Sequence, residues 1–296
     1  MKSALKIKKL IKVLSLSLAL VFCLIESGVV IPRIVGAMPF YDLKPKEIVL
    51  RAEFSTNYAS STDERKSNIK LAASALNNAF IDVGGELSFN AIVGERTVTR
   101  GYKSAKIIVN GEFVEGVGGG VCQVSTTLYN AALLAGLKIT EYHAHSLPVS
   151  YVARSFDAMV NSGSADLKFI NNTDNPIYLK TYANGEILRI EVYGQPLELT
   201  FERKSVTIEE IPAPEYDEIY DDNGDYPELY EGERLFVKYG RAGYKSEGYL
   251  IAVKNGKTVK IRKIRSDYYK PVKGLIVHGR AVRLNDIDNE ICAKDI

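Results

Sequence analysis

The chain has 296 residues, 46% of them apolar, which is long enough for two domains with their own cores. Its formal net charge is +2, and the first 37 residues hold six cations against Glu26 alone, so the remainder is net negative. That balance excludes nucleic acid as the main partner, because such binding wants a clustered basic face.

Residues 1–37 read as a targeting segment. Lys2, Lys6, Lys8, Lys9 and Lys12 precede the apolar run Val13 to Ile25. A basic stretch followed by an apolar run is a secretory signal peptide or a membrane anchor. It orients the chain with its N-terminus inside and the rest extracytoplasmic, membrane-anchored or secreted. The three cysteines, Cys23, Cys122 and Cys292, are too sparse for a disulfide framework.

Past the targeting segment, Glu47 to Phe54 alternates as a strand. Ser61 and Glu64 are spaced as a capping box, and a helix from Glu64 to Phe80 puts Ile69, Ala72, Ala73, Leu76 and Phe80 on one face. Gly84-Gly85 is a turn, and Leu87 to Val93 is expected as a strand. Arg96 to Tyr102 is loop-like, and Lys106 to Asn110 is a strand turning at Asn110-Gly111. The main helix follows, from the stretch GGGVCQVSTTLYNAALLAGL (118–137). Val121, Val124, Leu128, Ala131, Ala132 and Ala135 form its apolar stripe, and Cys122, Ser125, Thr126 and Tyr129 a polar face. Gly136 stands where a helix ends in the left-handed conformation. Strands are expected near Leu137 to Tyr142, at Asp166 to Phe169, Ile177 to Tyr182 and Ile187 to Tyr193, with turns at 171–175 and Asn184-Gly185.

Composition shifts at Ser205. From there to Glu233 stand eleven acids and no Lys or Arg, with three prolines, which reads as an acidic linker. Asp221, Asn223 and Asp225 have the first spacing of a calcium loop, but the glycine is misplaced and the closing glutamate is missing. After Arg234, short β-like runs alternate with glycines, and Asn255-Gly256 is a hairpin signal. The order of elements is α+β: a helix-plus-antiparallel-sheet domain followed by a small all-β domain. The expected divisions are 1–37, the first domain at 38–204, the acidic linker at 205–233, and the β domain at 234–296.

The chemistry centres on Cys122, at the first turn of a helix whose dipole and free amides favour a thiolate. His143 and His145 follow, then Asp157 and Asp166. A cysteine opening a helix, then a histidine, then an acid, is the logic of a Cys-His-acid nucleophile. In that reading Cys122, His145 and Asp157 are catalytic, and Asp166 is the alternative acid. Asp157 is preferred because twelve residues leave room for the chain to return beside the imidazole. The amides of Cys122 and Gln123 form an oxyanion hole. Gly119 and Gly120 allow close approach, and Ser125, Thr126 and Tyr129 line either a substrate groove or a buried hydrogen-bond network. The same order occurs in transglutaminase- and papain-like cores, an analogy of fold. A packing role for Cys122 stands beside this reading. Zinc on Cys122, His143 and His145 is a third reading, against which no second cysteine pair lies nearby. An anion cradle at the glycines is a fourth, without the lysine a phosphate loop needs. No metal and no cofactor are expected.

The residues FSTNYASSTDERKSNIKLAA, LSFNAIVGERTVTRGYKSA, GGGVCQVSTTLYNAALLAGL and HSLPVSYVARSFDAMV together resemble the VanW-like family, over roughly Ala52 to Gly194. Phe156 departs from it, standing where that family often has glycine before the aspartate. Arg234 to Arg280 resembles more weakly an extracellular glycine-repeat module of adhesive β type. The resemblance implies an exported cell-envelope protein of a family named for a vancomycin-resistance cluster, with peptidoglycan as partner and membrane contact through the N-terminal segment. Two functions follow: a thiol enzyme acting on amides of wall peptides, or a non-catalytic wall-binding or scaffold protein in which GGGVCQ is structural.

Overall fold

The computed structural model describes residues 48–109 and 111–281. The targeting segment, Cys23, Asn110 and Cys292 lie outside the described residues. Among the described residues no helix is long and apolar enough to cross a membrane.

The first half is built around one antiparallel sheet. Its strands are β1 (Val49–Asn57), β2 (Phe80–Ile81), β8 (Ile177–Ala183) and β9 (Ile187–Gly194), in the order β1-β9-β8-β2. Ala52, Phe54 and Thr56 of β1 alternate with exposed neighbours, and Leu188, Ile190 and Val192 of β9 are fully buried. On that apolar face lie α1 (Asp63–Leu76) and α3 (Val121–Leu134); α3 packs on β1 and β9, and α1 on β8 and on α3.

Helix α1 starts one residue earlier than expected. Its cap is Thr62, whose side chain accepts from the Arg65 amide, and Ser61 instead accepts from the Arg65 guanidinium. It ends at Leu76, because Asn78 takes positive φ and Phe80 enters β2. The segment 87–93 corrects the strand expectation: β3 (Glu86–Ser88) gives way to a short helix α2 (Phe89–Val93). Ser88 caps α2 through the Ala91 amide, and Asp166 takes the Asn90 amide.

A hairpin follows, β4 (Ser104–Val109) and β5 (Glu112–Val117), and then α3. After α3 come β6 (Lys138–Glu141) and β7 (Lys168–Ile170), which complete a small sheet in the order β3-β7-β6. The strand order identifies no transglutaminase- or papain-like core.

The rest of the described residues, from Thr200 on, form strands and the turns between them. Strands β10 (Thr200–Ile211), β13 (Gly243–Lys254) and β14 (Lys257–Tyr269) form one sheet. Strands β11 (Asp217–Tyr220), β12 (Arg234–Lys238) and β15 (Leu275–His278) form another. Asn255 and Gly256 both take positive φ and join β13 to β14, as that turn requires. The stretch 205–233 is therefore not a plain linker: β10 runs through the expected boundary at 204/205, and β11 lies wholly within the stretch. Of the acids that suggested a linker, only Glu209 and Glu210 lie on β10, both exposed near its end, while Phe201 and Arg203, earlier in the strand, are partly buried. Arg203 stacks on Phe54 and Phe156 and donates to Asn130 of α3. Asp221 caps a turn by accepting from the amides of Asp225 and Tyr226.

Candidate functional site

The glycine run makes a turn that a side chain would block. Gly118 and Gly120 have φ of +89° and +105°. A Cβ on Gly119 would lie 2.7 Å from the Ala105 carbonyl, and one on Gly120 would lie 2.9 Å from Arg65 Cγ. Asn68, fully buried on α1, holds the turn by donating to the carbonyls of Lys103 and Gly119 while accepting from the Lys103 amide. We expect Gly120→Val to combine a forbidden φ with this clash and to lower the thermal midpoint, while Lys138→Ala, at an exposed position, leaves it unchanged. Equal midpoints in a melting experiment would remove the special status of the turn.

The turn delivers Cys122 to the start of α3, partly buried, with its thiol donating to the Val160 carbonyl at 3.3 Å. Opposite stands His145, 7% exposed. Its Nδ1 lies 2.7 Å from Asp157 Oδ2, and the same oxygen accepts the His145 amide at 2.7 Å. With Nδ1 engaged, Nε2 is left for the thiol.

The charges reinforce one another. Burial alone pulls His145 down, but the hydrogen bonds and charges of Asp157 and Cys122 outweigh it and raise its pKa to about 9. Burial pushes the Cys122 thiol up, but the hydrogen bond and charge of His145, then the Val160 backbone contact and the charge of Arg96, outweigh that and hold it below its ordinary value. Asp157 is likewise lowered, burial being outweighed by His145 and Arg265. The direction is toward a thiolate–imidazolium pair anchored by a buried carboxylate.

Asp157 has further partners that sequence reading missed. Arg265 of β14 donates to the Asp157 carbonyl at 2.6 Å and reaches Oδ1 at 3.4 Å, while Tyr269 donates to Oδ1 at 2.9 Å. Arg265, Asp267 and Tyr269 alternate along one face of β14, and Arg265 Nε also donates to Asp267. Ser155 has positive φ; its amide donates to the Tyr269 hydroxyl, while its own hydroxyl pairs with Ser246. Gly248 of β13 lets the Ser155 carbonyl approach, since a Cβ there would lie 2.8 Å from it. The only local sequence signal was the alternation RSDYY, which does not reveal its partner.

Several expected roles change. Asp166 does not touch His145; its oxygens accept from Ser88 and from the amides of Asn90 and Leu167. His143 pairs with Glu141 at 3.0 Å. The Gln123 amide is spent on the Gly120 carbonyl, leaving the Cys122 amide without an acceptor among the described residues. The Gln123 side chain is buried too, bound to Arg65, Thr56 and the Asn57 carbonyl. Ser125, Thr126 and Tyr129 are fully buried and line no groove. Ser125 donates to the Ala158 carbonyl, and Thr126 accepts the Ala158 amide. Together they lace α3 to the segment that carries Asp157. Tyr151 also belongs to the site: burial raises its hydroxyl pKa, and the Cys122 charge adds to that.

Comparison with known proteins matches two successive regions of the chain, which the contacts of Arg265 and Tyr269 with Asp157 join. Residues 64–193 match the family model described as VanW like protein, and residues 202–281 match the G5 domain. YoaR of Bacillus subtilis (strain 168) is 43% identical over 142 residues, 48% of this chain and 47% of its own. The vancomycin B-type resistance protein VanW of Enterococcus faecalis (strain ATCC 700802 / V583) is 34% identical over 112 residues, 36% of this chain and 41% of its own. The chain thus spans less than half the length of these relatives. Among solved structures, an IgA1 protease G5 domain is 20% identical, covering 28% of this chain and 92% of its own at a TM-score of 0.20. HP0197-G5 is 23% identical, covering 28% and 100% at a TM-score of 0.16.

Proposed function

We propose that this chain, a VanW-like domain continued by a G5 domain, works in the cell envelope as a thiol enzyme that cuts or transfers an amide of wall peptides. The supporting observation is the buried chain of partners from Asp157 through His145 to Cys122. In the reaction, His145 Nε2 holds the thiol proton and the Cys122 sulfur attacks the amide carbonyl carbon. A C–S bond forms, and the developing oxyanion accepts from the Cys122 amide. The C–N bond then breaks, and the amine leaves with the proton from His145. Water or a second amine then attacks the thioester carbonyl and gives its proton to His145; the C–S bond breaks, the acid or new amide leaves, and the Cys122 thiolate and His145 imidazolium are restored. The G5 region's own role is attachment to peptidoglycan, and the basic and apolar N-terminal run puts both regions outside the membrane.

A scaffold reading draws on the same site, because the thiol is half-covered and bonded to Val160. Labelling separates the two. Cys122 in the folded chain should react with iodoacetamide along a pH curve whose midpoint lies below about 8.5, the usual thiol value. Reaction requires the thiolate, so the rate rises as pH climbs through the lowered thiol pKa, and the imidazolium persists until about 9. A membrane-impermeant maleimide should label the same residue on intact cells. No reaction without denaturant would leave the scaffold; reaction only after lysis would put the protein inside.

A further inference from the structure

Two arginines flank the triple-glycine turn. A Cβ on Gly118 would lie 2.9 Å from Arg96 Cβ, and one on Gly120 would lie 2.9 Å from Arg65 Cγ, so the missing side chains make room for these stems. Their heads are held by neutral groups only. Arg65 donates to Ser61 Oγ at 2.6 Å and Gln123 Oε1 at 2.7 Å. Arg96 donates to Asn90 Oδ1 at 2.5 Å and Ser162 Oγ at 3.2 Å. The acid whose field reaches Arg96 is Asp166, and both its oxygens are occupied by Ser88 and by backbone amides. Burial pulls both guanidinium groups below their usual value, and both feel the charge of Cys122. Both side chains remain partly exposed.

A guanidinium that has lost water and gives its hydrogen bonds to neutral groups is costly, and the cost is offset when an anion accepts those bonds instead. The planar fork suits a carboxylate. We infer that Arg65 and Arg96 form a carboxylate clamp beside Cys122, so that the substrate carries a carboxylate close to the amide being cut. This rests on the thiol-enzyme reading and names the substrate's charge. The two arginines are distinct from the pair that performs proton transfer, and they bind rather than react.

Iodoacetate and iodoacetamide test it. Both place the same carbon before the thiolate, which displaces iodide in either case, and they differ in a carboxylate against an amide. Any change in thiol pKa alters both rates together, so the ratio of rate constants isolates the clamp. On the intact chain, the iodoacetate/iodoacetamide ratio should exceed that of a small free thiol by about tenfold, the factor that corresponds to 1.4 kcal/mol. Arg65→Gln and Arg96→Gln should each lower it by roughly threefold or more, Arg96→Lys should lower it less, and added salt should compress the difference. If Arg65→Gln unfolds through loss of its Gln123 contact, Arg96→Gln, judged at an unchanged thermal midpoint, decides the matter. A ratio equal to that of the free thiol, or unmoved in folded variants, overturns the clamp while leaving the enzyme reading intact. Failure of Cys122 to react with either reagent defeats the enzyme reading and the clamp with it. Inorganic phosphate that protects Cys122 where acetate at equal ionic strength does not would overturn the carboxylate assignment in favour of a phosphate.

Discussion

Asp157→Asn should slow iodoacetamide alkylation of Cys122 at pH 7 by about tenfold or more, and amide chemistry at the site by on the order of 10³- to 10⁴-fold. The substitution keeps the volume but removes the anion that outweighs the burial of His145. The ring then loses its positive charge near neutral pH, and the thiol loses the partner that lowers it. An amide nitrogen facing Nδ1 also favours the wrong tautomer, with the proton on the side of the thiol. The measured rate-against-pH curve should move upward by a unit or more. A curve that stays in place would mean that Asp157 serves packing alone. Asp166→Asn is the contrast, since that carboxylate is bound by Ser88 and two amides and has no contact with the ring.

Arg265→Met should be the most destabilising single change outside the first half of the chain. The side chain is completely buried and pairs with Asp157 and Asp267. Removing one member of a buried ion network typically costs about 3–5 kcal/mol, because the remaining charge stays out of water without its partner. For a chain of this size that is a fall in thermal midpoint of roughly 10 °C. Arg262→Met, exposed on the same strand, should stay within about 0.5 kcal/mol. Arg265→Met should also shift the alkylation curve of Cys122, because the Asp157 carbonyl and carboxylate are positioned by that guanidinium. Asp157→Asn combined with Arg265→Met should fall short of the sum of the two losses, as coupled sites do. Simple additivity would show that the two residues act independently. The consequence is architectural: the region matching the G5 domain supplies a wall of the site that the VanW-like region carries.

The main helix was legible because its apolar stripe repeats at helical spacing and glycines mark both ends, and Gly120 and Gly136 do take left-handed conformations. The Asn255-Gly256 hairpin and the strands of 177–193 were legible for the same reason, since turn chemistry and alternation are local properties. The candidate cysteine, histidine and aspartate could be named because few residues of those types stand in reactive order. What sequence could not decide was which groups meet. Ser125, Thr126 and Tyr129 form a polar helix face, and only the packing of segment 156–158 onto α3 turns that face into an interior. The acids of 205–233 look solvated, yet β10 carries the first two of them and β11 two more, because a strand is held by backbone pairing with its neighbour and tolerates charge wherever its side chains are exposed. Arg265 and Asp157 lie 108 residues apart, and their pairing depends on β14 being held against the loop by Tyr269, Ser246 and the bare backbone of Gly248. Local patterning determined the elements and the reactive inventory. The tertiary structure decided the partners, because burial and long-range hydrogen bonding set the charge state of a side chain, and neither is written in its neighbours along the chain.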